Sequence, residues 1–156
     1  MSRNDHLLDK QDKNDLKEYD ALIRKTLNAK RKIEDGFLDL AESIFEIHHK
    51  KIYKLKYKTF GEFCEEELGF SRQTIYVYIS ILKLIANYPN YFSREKTIEF
   101  GHKKMRYITE GISEIDKKVS DQEQKEKLKK DIFDSIKPSM PSTEIESIID
   151  DKIEDL

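Results

Sequence analysis

Apolar side chains recur along residues 16–47 at Leu16, Tyr19, Ile23, Leu27, Ile33, Phe37, Leu40, Ile44 and Ile47. That period is helical and far too slow for the two-residue alternation of a strand, so the pattern predicts one long helix over about 14–50. Gly36 interrupts it at a cost of about 1 kcal/mol. Lys30, Arg31 and Lys32 also break the stripe, so two helices meeting near 30–36 fit the pattern too. Asp39, Glu42 and Glu46 lie off the stripe, which leaves an apolar seam longer than a small core needs, of the kind that pairs with a second chain. A seam that merely covers the rest of the domain accounts for it equally well.

The remainder of the chain agrees with a helical class. At 156 residues the length suits about one domain. Apolar residues are 37% and charged residues 38%, too little apolar material for a thick sheet-based core. Five Gly and three Pro are too few for the turns of a sandwich or barrel. The expected fold class is therefore all-α: a long N-terminal helix, a central helical motif and C-terminal helices. Residues 1–13 carry two leucines among charges and amides and read as a disordered arm. No run of about 18 apolar residues and no apolar leader is present, so the expectation is a cytoplasmic protein with no membrane partner. The single Cys64 agrees with a reducing compartment and excludes a cysteine-rich metal site.

The net charge of −2 hides a segregation. Residues 1–47 hold 9 Lys/Arg and 11 Asp/Glu (net −2), residues 48–106 hold 12 and 6 (net +6), and residues 107–156 hold 8 and 14 (net −6). Four of the six acids in the middle are packed into Glu62 to Glu67. A basic middle between acidic flanks points to a polyanion partner for the middle.

That middle carries a recognisable motif. Thr59 followed three residues later by Glu62 is a capping-box start for a short helix with Phe60, Phe63, Cys64 and Leu68 on one face and Glu65, Glu66 and Glu67 on the other. Gly69 supplies a left-handed exit and Phe70 a buried plug. Ser71 then caps a second helix with apolar positions Ile75, Tyr78, Ile79, Leu82, Ile85 and Ala86, which runs to Asn87 before Pro89. Two helices joined by a short glycine turn form a helix-turn-helix, here over about 59–87. With Gly69 as the turn glycine, Cys64, Leu68, Phe70, Ile75 and Tyr78 fall on the five apolar positions of that family, which the segment resembles over about 20 residues. Glu65 departs from the small residue usual at its place, which puts the closeness of the helix crossing in question.

The resemblance extends further. YKTFGEF at 57–63, SRQTIYVYI at 71–79, IEFGH at 98–102 and Tyr107-Ile108 are similar to spirochaete (Borrelia-type) plasmid-partition proteins, a ParB-like group encoded beside partition ATPases. The likeness covers about residues 50–112. It implies plasmid-DNA binding, a role in partition or copy maintenance, and a partition ATPase as partner.

The second motif helix offers a readable face. Arg72, Gln73 and Thr74 occupy its first turn, and Tyr76, Val77 and Ser80 follow off the apolar stripe. Arginine can take guanine, and glutamine adenine, through paired hydrogen bonds in the major groove, so Arg72, Gln73, Thr74, Tyr76 and Ser80 are the base-reading candidates. The amides near Ser71 and the helix dipole suit a phosphate. Lys54, Lys56 and Lys58 are interleaved with Ile52, Tyr53, Leu55 and Tyr57 in a connecting segment and suit a phosphate-facing surface. After a helix capped by Ser93, Gly101 leads into His102, Lys103, Lys104, Met105 and Arg106, where Lys103, Lys104 and Arg106 would grip backbone phosphates.

The acidic C-terminal third predicts two helices, one over about Asp121 to Ile136 and one capped by Ser142 or Thr143, with 138–141 as linker. The last reads as a lid on the core or a partner contact. Organisation then follows as an arm (1–13), a support or dimerisation helix (14–51), a DNA-binding region (52–112) and acidic helices (113–156). No phosphate loop occurs, His48 and His49 diverge by about 100° on one helix, and Cys64 sits on an apolar face, so neither an enzyme, a metal nor a cofactor is expected. The expected partners are double-stranded DNA, a second copy of the chain and an ATPase. A phage or plasmid transcriptional regulator would use the same reader. From a different class, a helical protein-interaction module would leave Arg72 and Gln73 idle.

Overall fold

A computed structural model describes residues 9–156. The fold is all-α, with no strand among the described residues. Helix α1 runs Lys10–Lys50 without a break, so the one-helix reading holds and the two-helix alternative does not. It starts four residues before the expected start at about 14 because Asp9 caps it: the Asp12 amide donates to Asp9 Oδ1 at 2.8 Å, and Gln11 reaches Asp15 one turn on. Residues 10–13 are therefore helical, not part of an arm; the rest of the expected arm, 1–8, lies outside the described residues. The helix ends at Lys51, whose φ of 57° is left-handed, and a 3₁₀ turn follows at Ile52–Leu55.

The chain divides into two compact units after Ile33. In the first, every residue from 13 to 33 is exposed. The second, Glu34–Leu156, contains the rest of α1 and all that follows. After the 3₁₀ turn come α2 (Phe60–Glu62), continued by a π-helical turn (Phe63–Glu67), then α3 (Arg72–Asn87), α4 (Arg94–Phe100), α5 (His102–Lys118), α6 (Gln122–Ser135) and α7 (Ser142–Glu154). Local chemistry sets most of these starts. Thr59, Ser71, Ser93 and Asp121 each accept a hydrogen bond from the amide three residues on. Helix α7 instead begins behind Pro141, with no side-chain cap from Ser142 or Thr143.

Helix α5 was not foreseen. The run His102 to Arg106 reads as a cluster of cations that grips phosphates, with no helix assigned, yet Met105, Ile108, Ile112 and Ile115 repeat at helical spacing and are buried. Helix α5 is the centre of the larger apolar cluster, packed by Ile81 and Leu84 of α3, Phe92, Phe100, Ile132 and Phe133 of α6, and Ile145 and Ile149 of α7. The boundary drawn at residue 112 falls inside it. Helix α7 lies on α5 as a lid. A smaller cluster gathers Ile44, Phe60, Phe63, Cys64, Ile75 and Ile79. Helix α3 thus feeds both clusters from two faces, which is why Ile81 and Leu84 are buried while Ala86, counted among its apolar positions, is exposed.

Two long-range ionic contacts fasten α1 within the second unit. Arg94 of α4 donates to Asp35 and Asp39 at 2.9 Å and to Glu42, so the acids that lie off the apolar seam have a partner. Glu34, buried, accepts from the His102 amide at 2.8 Å and sits at the N-terminus of α5, where a carboxylate meets unsatisfied amides and the positive end of the dipole.

Gly36 has no such purpose. A Cβ built there meets nothing within 4 Å. Gly36→Ala is therefore expected to stabilise the protein by about 0.5–1 kcal/mol through helix propensity and a less free unfolded chain. Urea denaturation with an unchanged slope would show it.

Candidate nucleic-acid interface

The turn between α2 and α3 forms as the motif requires, with one difference. Gly69 has φ +71°, a left-handed conformation that side chains resist, and no neighbour within 4 Å of a built Cβ, so glycine is there for its backbone alone. The first motif helix, however, widens into the π turn over Phe63–Glu67, closed by the Phe70 amide donating to the Cys64 carbonyl at 3.0 Å. Of the five motif positions, Cys64 and Ile75 are fully buried, and Leu68, Phe70 and Tyr78 are half-buried, so Phe70 is less of a plug than expected. Glu65 is exposed, so its bulk does not hold the helices apart. Burial pushes the Cys64 thiol up, away from a reactive thiolate.

Along α3 one ridge stays exposed: Arg72, Gln73, Tyr76, Ser80, Lys83 and Asn87. Among the described helices α3 alone lacks Asp and Glu, and from Leu68 to Arg94 the chain carries no acid. Within a protein of 31 acids that is a local positive surface. Lys83 extends the ridge beyond the residues expected from the first two turns; the four- and three-residue steps from Tyr76 through Ser80 to Lys83 are its signal in the sequence. Ser71 Oγ is committed to the cap, accepting from the Thr74 amide at 3.1 Å, and the Arg72 and Gln73 amides, ahead of the first helical bond, are the ones left for a phosphate.

The base-reading candidates separate in detail. Gln73 is exposed at the rim of a cleft. Arg72 lies over the Tyr76 ring, its guanidinium carbon 5.7 Å from the ring centroid, with its side chain folded across Gly61. Tyr76 meets Phe60 and His48 edge-on. Ser80 donates to the Tyr76 carbonyl at 2.8 Å, so only its acceptor positions are open. Thr74 is half-buried and shares a hydrogen bond with Ser71, and Val77 turns inward onto the larger cluster.

Two groups of cations flank this ridge. On one side, burial holds the His48 imidazole below its ordinary range, and the positive field of Lys83, His49 and Lys51 adds to that effect. His48 lies 6.3 Å from the Tyr76 ring, which sets the end of α1 beside the ridge, and Lys51 and Lys83 are exposed. On the other side, a cleft lined by Phe37, Gln73, Thr74, Tyr78, His102 and Arg106 places the start of α5 beside the start of α3. Arg106 pairs with Glu110 at 3.0 Å, and Lys103 is exposed. Lys104 is otherwise engaged: half-buried, its Nζ donates to the Pro138 carbonyl at 2.7 Å, so it ties α5 to the α6–α7 linker. Lys54, Lys56 and Lys58 are exposed on a segment held to α2 by Tyr53 and Tyr57, whose rings pack on Phe60 and Phe63. The Tyr57 hydroxyl donates to Glu67 at 2.6 Å, so these lysines share their surroundings with the glutamates of the π turn.

The chain matches no protein-family model, no curated protein and no solved structure.

Proposed function

We propose that the chain is a non-catalytic, sequence-selective DNA-binding protein that reads duplex DNA through α3. The observation that carries this reading is the exposed, acid-free ridge of Arg72, Gln73, Tyr76, Ser80 and Lys83 behind a left-handed glycine turn. A helix seated in the major groove presents its N-terminal residues to base edges, and here those residues are Arg72 and Gln73. First-turn amides of α3, Lys51, Lys83 and Lys103 supply phosphate contacts, while Lys104 holds the fold. Two copies would bring two such helices to an inverted repeat about one helical turn, roughly 34 Å, apart.

The biological setting rests on the resemblance to plasmid-partition proteins, which makes partition or maintenance the favoured role and a partition ATPase the favoured partner. A transcriptional regulator with the same reader is separated from it by one criterion: plasmid retention that requires the ATPase.

Fluorescence anisotropy on a random duplex tests the reading. With about four phosphates neutralised, the logarithm of affinity should fall with log salt at a slope of about −4. Lys103→Ala should flatten that slope by about 1 on every sequence, while Gln73→Ala leaves it unchanged. Absence of binding at low salt would discard DNA as the partner and favour a helical interaction module.

A further inference from the structure

From Lys10 to Ile33, α1 presents an apolar face that is exposed among the described residues. Leu16, Tyr19, Leu22, Ile23, Leu27 and Ile33 lie within one broad stripe and are 41–65% exposed. Every residue from 13 to 33 is exposed, whereas the same helix beyond Ile33 buries Glu34, Leu38, Ala41 and Ile44. Helices in proteins gain most of their stability from packing of an amphipathic face, so an unpacked apolar stripe of this length calls for a partner.

The charges along this stretch identify what covers it. Residues 9–20 carry five acids (Asp9, Asp12, Asp15, Glu18, Asp20) and three lysines (Lys10, Lys13, Lys17), net −2. Residues 21–33 carry five cations (Arg24, Lys25, Lys30, Arg31, Lys32) and no acid, net +5. Laid side by side in parallel, two copies would set the +5 halves against each other. Laid antiparallel, each acidic half meets the other's basic half, and the apolar stripes face along their whole length. We infer that residues 9–33 pair antiparallel with the same segment of a second copy, crossing near Leu22, so that Leu16 of one copy approaches Leu27 of the other. Charge pattern sets the orientation, and the apolar stripe supplies the adhesion. The pairing needs no DNA.

The test uses the full chain in DNA-free buffer. Sedimentation velocity should show a dimer that dissociates in the double variant Leu16→Ser/Ile23→Ser, whose sites are exposed and leave the helical signal of Glu34–Leu156 intact. A wild-type monomer at all concentrations, or a dimer that survives the double variant, overturns the inference. Orientation is read by oxidation of single-cysteine variants, native Cys64 being buried. Leu22→Cys should crosslink to itself. Leu16→Cys alone should not, but a mixture of Leu16→Cys and Leu27→Cys should crosslink to each other. Efficient self-crosslinking of Leu16→Cys means a parallel pair and sinks the antiparallel assignment. Because DNA is absent throughout, failure here leaves the reading of α3 untouched.

Discussion

Gly111→Val is expected to cost the protein about 3 kcal/mol or more, a fall in Tm of roughly 10 °C for a chain of this size. Gly111 lies in the middle of α5, where a side chain serves a helix better than glycine does, yet α7 packs so closely that a Cβ there would be driven into Ile149 Cγ2, with Ile149 Cδ1 at 3.6 Å. Ile149 is nearly fully buried and cannot give way. Its Cγ2 branches at Cβ, and a β-branched side chain in a helix has one strongly preferred rotamer. The helices must therefore separate. Gly111→Ala should cost about 1–3 kcal/mol by the same clash. The double variant Gly111→Ala/Ile149→Ala should cost less than its two parts summed, since the second change removes the atom the first one strikes. The contrast with Gly36 is a check on the reasoning: one substitution, Gly→Ala, is expected to stabilise at one site and destabilise at the other. Equal effects at both would refute the close approach of α5 and α7.

The second large effect is on recognition. Replacing both Arg72 and Gln73 by alanine should cost about 2–6 kcal/mol at the preferred DNA site, twice the roughly 1–3 kcal/mol of one good base contact. On random DNA the loss should be small, because only one of the two carries a charge. On the proposed reading Arg72 would leave its place over the Tyr76 ring to reach a base. Tyr76→Phe should leave base discrimination nearly unchanged, since Tyr76 meets Arg72, Phe60 and His48 through its ring and not its hydroxyl. Competition titrations with specific and random duplexes would measure both; equal losses on the two duplexes would reassign Arg72 and Gln73 to phosphate contact.

Much of the architecture is legible in the sequence where the cause is local. Thr59, Ser71, Ser93 and Asp121 announce helix starts because each hydroxyl or carboxylate satisfies an amide three residues on. Gly69 announces the turn because its φ is one that other residues resist. What stayed hidden depends on distant partners. Lys104 reads as a phosphate grip until the Pro138 carbonyl, 34 residues on, is placed against it. The acids of α1 read as a solvated face until Arg94 arrives from more than 50 residues away. Helix α5 was overlooked for a different reason. Its cationic opening was read as a surface, although Met105, Ile108, Ile112 and Ile115 carried the helical period in plain sight. On α3, Arg72, Gln73, Tyr76 and Ser80 are legible from their offset against Ile75 and Ile79. Thr74 and Val77 were not, because α3 packs on two clusters and a single-stripe reading assigns its second buried face to solvent.

The central claim is that α3 reads sequence in duplex DNA, and selection from a random duplex pool followed by sequencing of the bound fraction tests it most directly. Wild-type protein should enrich a defined motif, with Gln73→Ala relaxing the preference at one base position while total binding to the unselected pool persists. A bound fraction no different from the starting pool, or a motif untouched by Arg72→Ala and Gln73→Ala alike, would contradict it.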